Sequence, residues 1–516
     1  MTPFNHIAWT VALLSLVCAG GADAQVSVTS LTEVQRGRVP GEDPDVFSNV
    51  FEQFNLNYGQ ADFQASARFE VYRASVDGRN MTFLSQRSVS WAKGPAYVVG
   101  GNFYGILGRG LTARAFELPG VVLESTVFRQ RYTNTQDMEG GFASWTDDRF
   151  EVKALAGRPV AGDIPPGYPD TISGFDKLTG LGSDRRKDWV LGSEFSVRPV
   201  PGLKLGGTVV NVRPQGFEGS YAWSWLAGMD LTPAFEHAGL SSLYGEVYAE
   251  LANREKFTSD GHGRYLSGNF GIGSVGISVE YKDYDNFDLL ANDPPQLVRE
   301  HTAYLLNRNT HVLQTLNETG FQVEAVFPVA DLVTVTGNIS WGKNRLSSTV
   351  STVFDERFIG TELGFLPDSH TASVFFDWGR DELEALASHR TGGMLLGTST
   401  ENNHTLELNL ELQRGKLPFG ANPRYWDTYG VLSWQSPIGL GAAIALDRST
   451  NPSETDRGNN ETDPVKFLSV NLNARFGPYE ALLFVGERRG GTACTSGTCY
   501  EVLEFRGAEL RLTTRF

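Results

Sequence analysis

Period-two alternation of apolar and polar residues, repeated along most of the chain, is the feature that most constrains its fold. From Asp62 to Tyr72, Phe63, Ala65, Ala67, Phe69 and Val71 alternate with Asp62, Gln64, Ser66, Arg68 and Glu70. From Leu243 to Leu251 the polar set is Tyr244, Glu246, Tyr248 and Glu250, set against Leu243, Gly245, Val247, Ala249 and Leu251. Leu406, Leu408, Leu410 and Leu412 likewise alternate with Glu407, Asn409, Glu411 and Gln413, and Leu468 to Phe476 with Ser469 to Arg475. Successive strand side chains point to opposite faces, so each segment has one apolar and one polar face.

A soluble β-sandwich shares that pattern, but three features favour a transmembrane barrel. Many segments reach ~9–11 residues, enough to cross a bilayer at a tilt, against ~5–6 for ordinary strands. The apolar faces mix Leu, Val and Phe with Ala and Gly, which suits lipid contact. The polar faces carry Glu and Arg in mid-strand, as a wet lumen permits. A mean hydropathy of −0.23 suits a soluble exported chain equally well, but barrel strands meet lipid only at every second residue and average to neutral. The expectation is an all-β, antiparallel, up-and-down transmembrane barrel of about 20 strands (roughly 18–22), an even number, in one domain.

The chain opens with a predicted signal peptide, residues 1–24. Ile7 to Ala19 is apolar, and Ala22-Asp23-Ala24 gives the small-x-small pattern of a cleavage site before Gln25. The segment before the apolar stretch lacks Lys and Arg and holds only His6; Cys18 follows Val17, where a lipoprotein signal needs a small residue. Residues 25–49 are expected as a periplasmic segment, too short for a plug domain, and 50–516 as the barrel in an outer membrane. The last strand, Gly507 to Phe516, alternates and ends on an aromatic. It resembles the C-terminal signature of bacterial outer-membrane barrels, apart from Thr514 where a larger apolar residue is usual. That resemblance implies recognition of Phe516 by the barrel assembly machinery.

Gly, Pro, Asn and Asp clusters separate the strands. Long polar stretches at Arg158–Lys187, Asp285–Arg299, Gly379–Asn403, Ser449–Pro464 and Arg488–Val502 are expected as external loops, and Pro199–Gly202 and Gly477-Pro478 as short periplasmic turns. The formal charge of −16 argues against a nucleic-acid partner. Cys494 and Cys499 are spaced as a disulfide that pinches a loop, since no further ligands accompany them for a metal.

Two stretches stand out. In Gly101 to Glu117, Gly108-Arg109-Gly110 is no phosphate loop: no Lys-Ser/Thr follows. One reading is a hairpin with Gly at positions needing positive φ; the other sends Arg109, Arg114 and Glu117 into the lumen. In Pro294 to Glu318, His301 and His311 are two of the seven histidines beyond the leader. Ten residues separate them by roughly 33 Å on a strand or ~15 Å on a helix, so no shared metal is expected. The two stretches together resemble an uncharacterised family of exported outer-membrane barrel proteins. The matching residues are Gly101 to Tyr104, Gly108 to Leu111, Arg114 to Glu117, Pro294 to Leu297, Glu300-His301 and Leu305 to Arg308. The resemblance implies a barrel and supplies no activity.

No G-x-S-x-G, H-E-x-x-H or C-x-x-C-H occurs, so neither an enzyme nor a cofactor nor a metal centre is expected. The reading is a porin-like channel that passes small polar solutes through a water-filled lumen set in outer-membrane lipid. Its selectivity residues are expected among Arg68, Glu70, Arg109, Arg114, Glu117, Glu246, Glu250, Glu407, Glu411 and Arg475. The alternative is a non-transporting barrel, a surface receptor or a sheath for a protein partner.

Overall fold

A computed structural model describes residues 24–39, 46–75, 80–124, 131–159, 188–214, 219–255, 259–289, 292, 294–295, 299, 301–311, 317–347, 349–365, 370–420, 423–455, 464–495 and 498–516. The expected signal peptide lies outside these residues, except for Ala24. Twenty-four strands form one antiparallel sheet in which each barrel strand pairs with the next. The sheet closes where Thr29–Arg38 pairs with Arg506–Arg515. Val28 and Phe516 extend that seam by exchanging backbone hydrogen bonds at 2.9 and 2.8 Å. Closure leaves the 24-stranded sheet of the described residues without an edge strand, as lipid requires.

The polarity of the barrel is inverted relative to a water-soluble protein. Val34, Leu251, Ile339, Leu432 and Leu468 are exposed on the outer wall, while Glu33, Glu194, Glu250 and Glu356 are buried on the inner one. Exposed aromatics ring both ends: Phe63, Phe150, Phe476 and Phe516 near the short turns, and Trp189, Tyr221, Trp378 and Trp426 near the long loops. An apolar band between aromatic girdles is the surface of a membrane barrel. No described helix is long and apolar enough to cross a membrane; the crossing is by strands.

Short turns join strands at the rim that holds both Ala24 and Phe516, as between Ile272 and Val275 or Phe476 and Tyr479. Long connections leave the other rim, notably between Ala96–Phe103 and Met138–Thr146 and between Val275–Asp285 and Glu318–Ala330.

Three expectations are corrected. The barrel sheet of the described residues has 24 strands rather than about 20. Residues 25–49 are not a periplasmic segment: Ala24–Arg38 is a full strand at the closing seam, and Val46–Gln60 is its partner. Gly379–Asn403 is not a loop, because it contains the barrel strand Leu386–Ser399. Gly392-Gly393 and Leu395-Leu396 break its alternation, and neighbouring aromatics fill the gap. A Cβ at Gly393 would stand 2.3 Å from the ring of Phe375, and one at Gly392 3.3 Å from that of Phe376.

Strand number fixes the scale of the lumen. At ~4.8 Å per strand and ~40° of tilt, the 24 strands give a circumference of ~150 Å and, if round, a diameter of ~48 Å. Wall side chains cannot fill such a space, so what enters it from the rims decides what passes.

Candidate functional site in the lumen

Glu33, Glu70, Glu194, Glu250, Lys282, Glu318, Glu356 and Glu411 all point inward from the wall, and none is more than 3% exposed. An open lumen of this width would solvate them. Many are buried because two segments of the long-loop rim fold down onto the wall, and both lie in the stretches singled out from the sequence.

The first segment leaves the Ala96–Phe103 strand and forms a small hairpin, Ile106–Leu107 against Ala113–Arg114. Leu107, Leu111, Ala113 and Ala115 are at most 2% exposed and join one apolar cluster with Leu155, Val190, Val210, Ala222 and Leu226 of the wall. Burying one such leucine contributes about 1.5–3 kcal/mol. Wall Gly192 leaves room for Leu107, since a Cβ there would lie 2.9 Å from Leu107 Cδ1.

The tip of this hairpin is made by backbone. Gly108 and Gly110 have φ of 58° and 91°, the left-handed region that glycine enters without steric cost. That turn aims the Gly108 N–H at Glu194 Oε2 (2.9 Å) and the Arg109 N–H at Glu250 Oε2 (3.4 Å). The Arg109 guanidinium donates to Ser267 Oγ (2.6 Å), pairs with Glu246 and lies 4.6 Å over the Tyr248 ring. Tyr248 and Ser224 donate to Glu250 at 2.6 and 2.8 Å, and Thr112 joins the same network through Thr208 at 2.9 Å. Behind them Lys153 and Lys204 bridge Glu151 and Glu194 over 2.8–3.1 Å. Arg198 adds a third cation 3.3 Å from Glu151, so neither carboxylate is left without a counter-charge.

The second segment, between Asp285 and Glu318, is fastened to a different arc of wall. Tyr284 Oη donates to the Pro295 carbonyl at 2.8 Å. Arg299 pairs with Glu324 and lies 4.4 Å over the Phe358 ring. His301 Nε2 is 2.8 Å from Glu356 Oε1. A short helix, Tyr304–Asn307, starts on the carboxylate of Glu411, which accepts the Tyr304 and Leu305 N–H groups at 2.9 and 2.8 Å. An anion there satisfies donors that a helix start otherwise leaves free. Tyr304 stacks on Tyr429 at 4.0 Å, and Asn309 donates to Gln413 at 3.0 Å. His311 ends the segment between Asp381 (2.6 Å) and Glu318 (3.2 Å), and Lys282 pairs with Glu318 at 2.5 Å. Burial opposes charge on the His311 ring, but its two carboxylate partners outweigh burial and hold its pKa up to about 9.

The two segments meet. Asn292 Nδ2 donates to the carbonyls of Gly110 (3.2 Å) and Leu111 (2.9 Å). The lumen is thereby narrowed from two adjoining arcs of its wall. Along the strands from Ala24 to Phe103 a recess of about 480 Å³ remains, lined by amides and hydroxyls such as Gln25, Asn57, Gln64, Gln86 and Ser88 and, among the described residues, by no charged side chain.

Of the sequence candidates, the structure brings Arg109, Glu246 and Glu250 together and sets Glu411 under the second segment. Arg114 lies in the returning arm of the hairpin, opposite Ile106. Arg68 donates to Asn55 Oδ1 (2.6 Å) and Glu70 accepts from Gln53 (3.2 Å), both on the Phe63–Ala74 side of the wall. Glu407 is exposed toward the short-turn rim, where Arg475 pairs with Glu480 at 2.9 Å. The side chains of Glu117, Cys494 and Cys499 lie outside the description; the backbones of the two cysteines face each other in the Gly491–Thr495/Thr498–Val502 hairpin. Sequence reasoning missed Glu194, Glu356, Asp377, Asp381 and the buried Arg489, which pairs with Asp427 and Asp447 at 3.1 and 3.4 Å. Most are polar-face residues in strands whose alternation is broken or weak.

No protein-family model and no curated protein matches the sequence. Among solved structures, the P pilus usher PapC translocation pore aligns over 95% of this chain and 99% of its own, with a TM-score of 0.47 and 11% identity. The siderophore receptor PirA from Pseudomonas aeruginosa aligns over 95% and 80%, at 0.44 and 9%. OccK5 (OpdH) from Pseudomonas aeruginosa aligns over 72% and 96%, at 0.42 and 10%. Likeness at this level identifies neither a family nor an activity. The barrel rests on its own closure and inverted polarity.

Proposed function

We propose that this protein is an outer-membrane channel for small polar solutes, with its constriction built by the two in-folded segments. The observation that carries the reading is their junction, Asn292 on the Gly110 and Leu111 carbonyls, within a barrel too wide to be narrowed by its wall alone. The solute path then follows the uncovered wall. The neutral recess along Gln25, Asn57, Gln64 and Gln86 supports passage of hydrogen-bonding, uncharged solutes, and the half-exposed Arg109–Glu246 pair supplies a local field. Export through a leader cleaved near Ala24, insertion aided by Phe516, and a Cys494–Cys499 disulfide in an external hairpin belong to the same proposal.

Conductance of the folded protein in a planar bilayer under a KCl gradient tests it. Stable open steps are expected, with a reversal potential displaced from zero if the lumenal acids dominate. Silence from protein shown to be inserted overturns the channel. It would favour the receptor or sheath, to which long loops folded over the lumen also lend themselves.

A further inference from the structure

We propose that His301, Glu356 and Asp377, with His389 orienting Asp377, bind one divalent transition-metal ion of the zinc class and so pin the second segment to the barrel wall. The four residues come from four elements. His301 belongs to the in-folded segment, Glu356 to Ser351–Phe365, Asp377 to His370–Asp381 and His389 to Leu386–Ser399. One ligand atom each from His301, Glu356 and Asp377 lies within 4.8 Å of the others, and all three residues are buried. His389 Nε2 stands 2.7 Å from Asp377 Oδ1.

This cluster brings two buried carboxylates together with no fixed cation between them among the described residues. Elsewhere on the inner wall, Glu194 has Lys153 and Lys204, Glu318 has Lys282, Asp427 has Arg489, and Glu411 has two backbone N–H groups. Among the described residues, no Lys or Arg pairs with Glu356 or Asp377; their side-chain partners are the imidazoles of His301 and His389. Arg299, two residues before His301, is engaged by Glu324 and Phe358. Asp377 Oδ2 and His389 Nδ1 are buried and have no hydrogen-bond partner. A buried carboxylate oxygen without a donor is costly, and a cation among these three ligands relieves it.

The donor set selects the ion. Imidazole with carboxylates suits zinc and its first-row neighbours, whereas calcium and magnesium favour oxygen shells. Three protein ligands leave one position for water or a solute group. A hydrogen bond from His389 to the ligating Asp377 is the kind of outer contact that holds a ligand in place.

The test is calorimetric titration of Zn²⁺ into the full-length, EDTA-stripped barrel, with its fold checked by heat-modifiable migration. One tight equivalent of Zn²⁺ is expected, with Ca²⁺ binding far more weakly. His301→Ala and Asp377→Asn should each weaken zinc by at least about tenfold, and His237→Ala, at the far rim, should not. Should Asp377→Asn fail to fold, Glu356→Gln replaces it. X-ray absorption of the zinc-loaded wild type should report a nitrogen and oxygen shell. No tight zinc in the wild type, retention in every ligand variant, or a sulfur shell would each overturn the proposal.

Discussion

The Ile106–Arg114 hairpin is held in the lumen by buried leucine and alanine side chains and by glycine-turn N–H groups on Glu194 and Glu250. The segment from Arg299 to His311 buries Leu305 and Leu306 but adds many ionisable contacts: arginine on Glu324, histidines on Glu356, Asp381 and Glu318, and a helix start on Glu411. Apolar burial and backbone N–H donors carry no group that titrates near neutral pH, whereas the pairs of His311 with Asp381 and Glu318 last only while its imidazole is protonated. Two segments that reach the same lumen therefore have different sensitivities. The first is a fixed wall lining; the second is the one that conditions can release.

The largest expected effect breaks the first segment alone. A Cβ at Gly108 would stand 2.5 Å from Glu250 Oε2 at a φ of 58°. Gly108→Val combines that clash with backbone strain and should cost about 3–4 kcal/mol. Protease cleavage should appear within 104–115 while 299–311 stays protected. Equal cleavage of both would end the distinction.

The second expectation concerns pH. His311 has a folded pKa raised to about 9 from 6.5, so its contribution is complete below the unfolded value and is lost as pH rises through the folded one. That contribution amounts to up to about 3 kcal/mol. Hydrogen exchange of residues 301–311 should accelerate between pH 7 and 9.5, with 106–114 unchanged apart from the intrinsic rate. His311→Gln should abolish the pH dependence.

A smaller effect is expected for Glu411→Gln, which leaves the Tyr304 and Leu305 N–H groups a neutral acceptor and should cost about 1–3 kcal/mol, again only in the second segment. Smallest in stability is Arg109→Ala. Its pair with Glu246 is partly exposed and contributes below ~1 kcal/mol, but removing one lumenal cation should shift the reversal potential toward cations.

The closed barrel was legible because lipid outside and polarity inside impose alternation on clean strands such as Phe63–Ala74 and Thr405–Lys416. The count fell short where packing replaces alternation. In Leu386–Ser399, Gly392 and Gly393 make way for the rings of Phe375 and Phe376. Ala24–Arg38 is paired along its length with Val46–Gln60 and over Thr29–Arg38 with the last strand, and that partnership has no local signature. Within the site, Gly108, Arg109 and the Glu300-His301 stretch stood out by composition. Gly108, His301 and His311 meet Glu194, Glu356 and Asp381, which lie 86, 55 and 70 residues away, beyond the reach of any spacing rule.

The central claim is that the in-folded segments set the size of the passage. Single-channel conductance of the wild type against a variant with residues 104–115 replaced by a short Gly-Ser linker tests it most directly. A several-fold larger step in the variant, with the wild type open but small, is the expected result. Equal conductance in the two, or silence from both when each is shown to be inserted, would contradict it.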